Sequence, residues 1–147
     1  MNSETQQTFH VRPVRFSDHE SEIRAIRETV FINEQGVPAD LEWDNQDDAA
    51  QHVLAYDHDN HPIGTGRILP SGRIGRMAVL NAWRRQGIGA AMLQQLLVLA
   101  RAKGHDHVYL AAQTQAAAFY QQHGFKPKGP VYQEAGILHQ KMICRLR

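Results

Sequence analysis

The stretch Arg84-Arg85-Gln86-Gly87-Ile88-Gly89 places two guanidinium groups and two glycines where the hydrophobic period changes. Ahead of it, Ile74-Gly75-Arg76-Met77-Ala78-Val79-Leu80 reads as a buried strand; behind it, Ile88, Met92, Leu93, Leu96, Leu97 and Ala100 recur at helical spacing. A basic, glycine-rich turn therefore opens a helix. The first amides of a helix lack internal partners and carry the positive end of its dipole, so they form an anion site. Glycines 87 and 89 remove the Cβ atoms that would hold a phosphate off the backbone, and Arg84 and Arg85 add fixed charge. These residues predict a phosphorylated ligand. No GxxxxGKS/T run supplies the lysine and hydroxyl of a triphosphate site, and GxGxxG fails at Met92.

A second block lies downstream. Val108-Tyr109-Leu110-Ala111-Ala112 reads as a strand, Gln115 to Gln122 as a short helix, and Gly124-Phe125 as its stop and the return to the core. The first turn matches R-x-x-G-x-G/A at Arg84, Gly87 and Gly89, after a strand ending in Met77-Ala78-Val79. The second block matches A-x-x-F-Y-x-x-x-G-F at Ala116, Phe119, Tyr120, Gly124 and Phe125. On these motifs the chain resembles the GNAT superfamily of acetyl-CoA-dependent N-acetyltransferases, over roughly residues 52 to 143. The blocks Phe31-Ile32-Asn33-Glu34-Gln35-Gly36-Val37-Pro38 and Glu134-Ala135-Gly136-Ile137-Leu138-His139, with Met142, resemble its ElaA/YjcF-like branch of small acetyltransferases.

The resemblance implies an α+β fold: a strongly twisted mixed sheet of six or seven strands with helices on both faces. Its fourth and fifth strands, here about Ile74 to Leu80 and His107 to Ala112, splay apart to admit acetyl-CoA as cosubstrate. Backbone amides of Gln86, Gly87, Ile88, Gly89 and Ala90 would hold the pyrophosphate, with Arg84 and Arg85 adding charge. Met77, Ala78 and Val79 would offer strand backbone to the pantetheine and an N–H to the thioester oxygen; Phe119 and Tyr120 would stand beside the thioester. Gln113 occupies a contact position where the family often has Asn. Tyr120 is the expected general acid for the leaving thiolate. For the attacking amine, Glu34 and His139 are the expected orienting and basic groups, with Glu42, Glu134 and a water chain open as alternatives. The implied reaction moves an acetyl group to a primary amine of a small molecule or peptide by direct attack in a ternary complex. A non-catalytic acyl-CoA-binding module would use the same loop, and a phenol beside the thioester separates the two readings.

Composition sets the remaining bounds. At 147 residues one domain is expected, long enough for a substantial core. Sixteen Lys and Arg against 15 acids leave a net charge of +1, which is no nucleic-acid footprint. Met1 to Gln7 is polar without a signal pattern, and no apolar run reaches the ~18 residues of a membrane span, so no membrane partner and a cytoplasmic location are expected. A homodimer is compatible with the resemblance. The single Cys144 reads as packing in a last strand, and Ser71 lacks the flanking glycines of a nucleophile elbow. His58/His61 and His105/His107 read as turn residues, so no metal is expected. Around the motifs, Phe9 to Phe16 reads as an edge strand and Ser17 or Asp18 as the cap of a helix carrying Ile23, Ile26, Val30 and Phe31. Asp40 to Ala50 reads as an acidic loop, followed by a hairpin from Val53 to Leu69.

Overall fold

The computed structural model describes residues 8–146; the polar start from Met1 to Gln7 lies outside them. In chain order the elements are β1 (Phe9–Val14), α1 (Phe16–Arg27), a π-helical segment (Glu28–Glu34), α2 (Ala39–Glu42), β2 (Gln51–Asp57), β3 (Pro62–Ile68), β4 (Ile74–Val79), α3 (Ile88–Ala102), β5 (His107–Gln113), α4 (Ala117–Gln122), β6 (Lys126–Pro127), β7 (Tyr132–Glu134) and β8 (Ile137–Arg145). One antiparallel sheet has the order β1-β2-β3-β4; the other has β5-β8-β6, with β7 also on β8.

Alternation on β2 explains why helices cover both faces of the first sheet. Val53 and Ala55 join α3 in one core, with Ile88, Met92, Leu93, Leu96, Leu97 and Ala100 on the helix side. Leu54 and Tyr56 point the other way, onto Phe16, Ile23, Ile26 and Val30. Successive strand residues face opposite sides, so a strand buried on both becomes a continuous apolar run. Glycines on β3 set how near α3 lies: a Cβ at Gly64 would stand 3.2 Å from Met92 Sδ, and one at Gly66 3.2 Å from Leu96 Cδ1. Larger residues there would lift the helix off the sheet.

Helices on both faces agree with expectation, and three details differ. Among the described residues the strands number eight in two sheets, rather than six or seven in one. The extra ones, β6 and β7, are two and three residues long, too short for any hydrophobic period to register. The first helix starts at Phe16 behind Arg15 with no side-chain cap, because Phe16 is itself drawn into the core. Its continuation over Glu28–Glu34 is π-helical, with Gln35 N–H donating to the Val30 carbonyl at 3.1 Å. Finally, the acidic stretch from Asp40 begins inside α2 and buries Glu42 and Asp47.

Candidate active site

β4 and β5 run parallel and touch at one isolated bridge, Arg73 with Tyr109, where the Tyr109 N–H donates to the Gly72 carbonyl at 3.1 Å. Beyond that seam the strands part. The register of β3 with β4 jumps from Arg67–Gly75 to Thr65–Ala78, so Arg76 and Met77 oppose the single Gly66. Arg76 takes a left-handed φ of 52° in this bulge. A bulge bends its strand and sharpens its twist, which turns the end of β4 away from β5. The resulting cleft of about 380 Å³ has Met77, Ala78 and Val79 on one wall and Leu110, Ala111 and Gln113 on the other. The β5-facing backbone edge of β4 is left without a strand partner past the seam.

From the glycine-rich turn only Arg84 lines this cleft; Arg85, Gln86, Gly87, Ile88, Gly89 and Ala90 follow it in the chain and lie outside the lining. Gly87 is the N-cap of α3 with φ 86°, and nothing lies within 4 Å of the position a Cβ would occupy. Arg85 is also left-handed, with φ 64°; it is exposed and has no ion pair or side-chain hydrogen bond among the described residues. Its neighbour is engaged. Arg84 donates to both Glu34 oxygens, at 2.6 and 2.8 Å, and through Nε to the Val79 carbonyl at 2.9 Å. The Arg84 hydrogen bonds hold the Glu34 carboxyl below its ordinary range. Gln86 Oε1 is buried with no hydrogen-bond partner among the described residues.

Aromatic contacts carry the turn's position to the reacting region. A Cβ on Gly89 would stand 3.6 Å from Phe119 Cζ, an ordinary contact. Phe119 meets Tyr120 edge to face at 5.0 Å, and Tyr120 meets Phe125 at 5.8 Å. The Tyr120 hydroxyl then reaches across the splay to donate to Met77 Sδ at 3.7 Å. Burial pushes its pKa up to about 12. The second motif thus delivers a protonated phenol to the strand named by the first.

A family model described as an acetyltransferase (GNAT) domain matches residues 15–146. This chain belongs to the GNAT acetyltransferase family. YjcF of Bacillus subtilis, by name an uncharacterized N-acetyltransferase, is 35% identical over 122 residues, spanning 80% of this chain and 86% of YjcF. Escherichia coli ElaA is 34% identical over 122 residues, 78% of this chain and 79% of ElaA. The ElaA crystal structure superposes with a TM-score of 0.82 at 29% identity, covering 92% of this chain and 99% of that one. An acyl-CoA N-acyltransferase from Pseudomonas aeruginosa superposes with a TM-score of 0.81 at 28% identity, covering 92% and 99%.

GNAT membership makes acyl transfer the general chemistry and an acyl-CoA the implied cosubstrate. The residues present fit that group: an open left-handed glycine capping α3, a free cation at Arg85, and an unpaired β4 edge that an extended amide chain can join. On the far side of the GNAT cleft, Gln113 Nε2 donates to Gln35 Oε1 at 2.9 Å, tying β5 to the residue after the π-helical segment. His139 lies opposite Gln113 in the β5–β8 register and lines the cleft. Its Nδ1 is 2.8 Å from the Ile137 carbonyl. A carbonyl can only accept, so Nδ1 carries the hydrogen and Nε2 is the basic atom. Glu34 and His139 are not in contact: Glu34 is committed to Arg84 at the loop, whereas His139 belongs to the β8 wall. Glu134 also lines the cleft, from β7.

The GNAT chain also carries an ionic network that the linear reading passed over. Arg27 donates to Glu42 at 2.8 Å and Asp47 at 2.7 Å. Arg67 donates to Asp47 at 2.8 Å and to both oxygens of Asp44. Arg76 Nε lies 3.1 Å from Glu42 Oε2, outside hydrogen-bond geometry, and its Nη2 donates to Asp44 at 3.2 Å. Three arginines thus meet three carboxylates, and Glu42 is thereby occupied as an ion-pair partner. Burial raises Asp44, but hydrogen bonds and charge from Arg67, with charge from Arg76, outweigh it and hold the pKa at about 2. The sequence signal was the cluster Glu42, Asp44 and Asp47 on a stretch carrying Trp43, whose ring lies under Arg24 and Arg27 at 4.5 and 5.0 Å.

Proposed function

We propose that this chain transfers an acetyl group from acetyl-CoA to a primary amine of a small molecule or peptide, by direct attack in a ternary complex. The observation that carries the reading is the Tyr120 hydroxyl, 3.7 Å from Met77 Sδ across the splay between β4 and β5. Phosphate recognition alone has no use for a half-buried phenol at that point. Cys144 supports direct attack over a covalent enzyme, since it is buried on β8 with its thiol pKa raised by burial, away from the cleft.

An acetyl-CoA in the cleft supplies a thioester activated for attack. The first amides of α3 hold its phosphates, Arg85 adds charge, and a β4 backbone N–H stabilises the oxygen as negative charge develops, worth ~3 kcal/mol. His139 Nε2 takes one proton from the ammonium, freeing the lone pair that forms the amide bond as the C–S bond breaks. Tyr120 donates its proton to the departing sulfur and is restored by the second proton released from nitrogen. With the phenol at about 12 and a thiol near ~8.5, complete transfer is uphill by roughly 5 kcal/mol. The phenol therefore shares its proton while the bond breaks, rather than ionising beforehand.

Tyr120→Phe keeps the ring packing and deletes the hydroxyl. It should lower kcat by about 10²-fold with little change in acetyl-CoA affinity. Equal turnover by the two proteins would make Tyr120 structural, and absence of turnover in the unmodified protein across a broad amine panel would favour the binding-module reading.

A further inference from the structure

The charges lining the cleft do not all cancel. Arg67, Arg73, Arg76, Arg84, Glu42 and Glu134 face it. Arg84 is neutralised by Glu34, Arg67 by Asp44 and Asp47, and Arg76 with Glu42 belongs to the buried network. Two charges are left over. Among the described residues, Arg73, half-buried just before β4, has no carboxylate within 4.0 Å and no hydrogen bond from its side chain, and Glu134, exposed on β7, has no cation within that distance. They do not pair with each other, although both act on the Tyr132 phenol. Burial raises that phenol's pKa, Glu134 adds to the rise and Arg73 opposes it. On the arginine wall, donors are in surplus: Arg67 Nε and Arg76 Nε are buried with no hydrogen-bond acceptor among the described residues.

Half-buried Arg73 has lost part of its hydration without gaining a partner, and a carboxylate restores the balance, whereas the exposed Glu134 adds attraction for a cation at the cleft's mouth. Two opposite ions that share a cleft without meeting suit a zwitterion. Arg73, just before β4, and Met77 on it lie four residues apart, about 13 Å at roughly 3.3 Å per residue and less across the bulge. The reach of an arginine side chain covers part of that distance. Several bond lengths then remain between a carboxylate at Arg73 and a nitrogen reacting beside Met77 and Tyr120.

Resting on the acetyl-transfer reading above, we propose that the acceptor is an ω-amino acid, a primary amine joined by a carbon chain to a carboxylate. Arg73 binds the carboxylate, and Glu134 draws in the ammonium before His139 deprotonates it. A simple polyamine would leave Arg73 unpaired and face it with like charge.

Matched pairs differing by the carboxylate provide the test: ω-aminohexanoate against pentylamine, and lysine against cadaverine. Turnover is followed with acetyl-CoA, and binding by ligand-observed NMR on protein saturated with desulfo-CoA. The carboxylate member of each pair should bind and react about tenfold better or more. Arg73→Ala should abolish that preference by removing the advantage of the carboxylate member, Arg73→Lys should restore part of it, and Glu134→Gln should weaken both members alike. Equal binding of the two members, binding of neither, or an equal loss of both in a folded Arg73→Ala protein would overturn the proposal. Selective binding without turnover would instead retain the carboxylate site and remove the acetyl-transfer reading.

Discussion

Arg84 and Arg85 are adjacent in sequence and stand in opposite electrostatic situations. The first is chelated by Glu34 and bonded to the Val79 carbonyl; the second is exposed with no partner among the described residues. Only an unpaired charge adds its full attraction to a phosphate, and an exposed one is screened by salt. Arg85→Ala should therefore weaken acetyl-CoA binding by about fivefold at low ionic strength and flatten its salt dependence. Removing the neutral pair as a whole, Arg84→Ala together with Glu34→Gln, should change the salt dependence less, because it takes away no net charge. Titration calorimetry at two salt concentrations separates them. The reverse order would mean that phosphate displaces Glu34 from Arg84. Both arginines were visible in the sequence; Glu34, fifty residues earlier in the chain, could not be assigned to either.

At the scale of elements, the start of α3 combines a backbone requirement with an approach requirement. Gly87 caps the helix from the left-handed region, where a side chain is strained, while Gly89 sits within the first helical turn. Gly89→Val would place its branches toward both the incoming phosphates and Phe119, whose ring lies 3.6 Å from the Cβ position. Acetyl-CoA affinity should fall by about tenfold or more while the far-ultraviolet circular dichroism is retained. Unchanged affinity in the folded variant would remove the loop from the binding site. The helix and its glycines were legible from the change of period at residue 87. The bulge at Arg76 and Met77 was not, because it depends on which residues of β3 lie opposite.

At the scale of the whole molecule, the network of Arg27, Arg67, Arg76, Glu42, Asp44 and Asp47 fastens α1, α2 and the following loop to β3 and β4. Asp47 receives hydrogen bonds from Arg27 and Arg67 at 2.7 and 2.8 Å, so Asp47→Ala leaves two buried guanidinium groups short of a partner. A loss of about 3–5 kcal/mol in unfolding free energy is expected by urea titration; a loss under 1 kcal/mol would show that the charges rearrange without strain. The pH dependence follows from the signs. Burial lowers the pKa of His52 below its ordinary 6.5. Between those values the unfolded chain binds more protons, so this contribution is intact above about pH 6.5 and declines below it. Asp44, held at about 2 against an ordinary 3.8, contributes stability present above pH 3.8 and lost as pH falls through about 2. That second decline should amount to about 1–2 kcal/mol after allowing for solvent at the partly exposed carboxylate. Urea midpoints across pH should show both declines, and His52→Gln should remove only the upper one.

Local order was therefore largely determined by the sequence itself. The strand before residue 80, the turn, the helix after it and the aromatic pair before Gly124 each rest on spacing within one or two dozen residues, where period and turn chemistry act directly. These also carry the family's two motifs, and hence the general chemistry. Tertiary structure alone decided the partnerships: Glu34 with Arg84, Gln35 with Gln113, Asp44 and Asp47 with Arg67, and the Tyr120 hydroxyl with Met77. It also decided which charges lining the cleft, Arg73 and Glu134, have no ion-pair partner among the described residues. Neutralisation and burial depend on distances between residues far apart along the chain, and no local pattern encodes those distances.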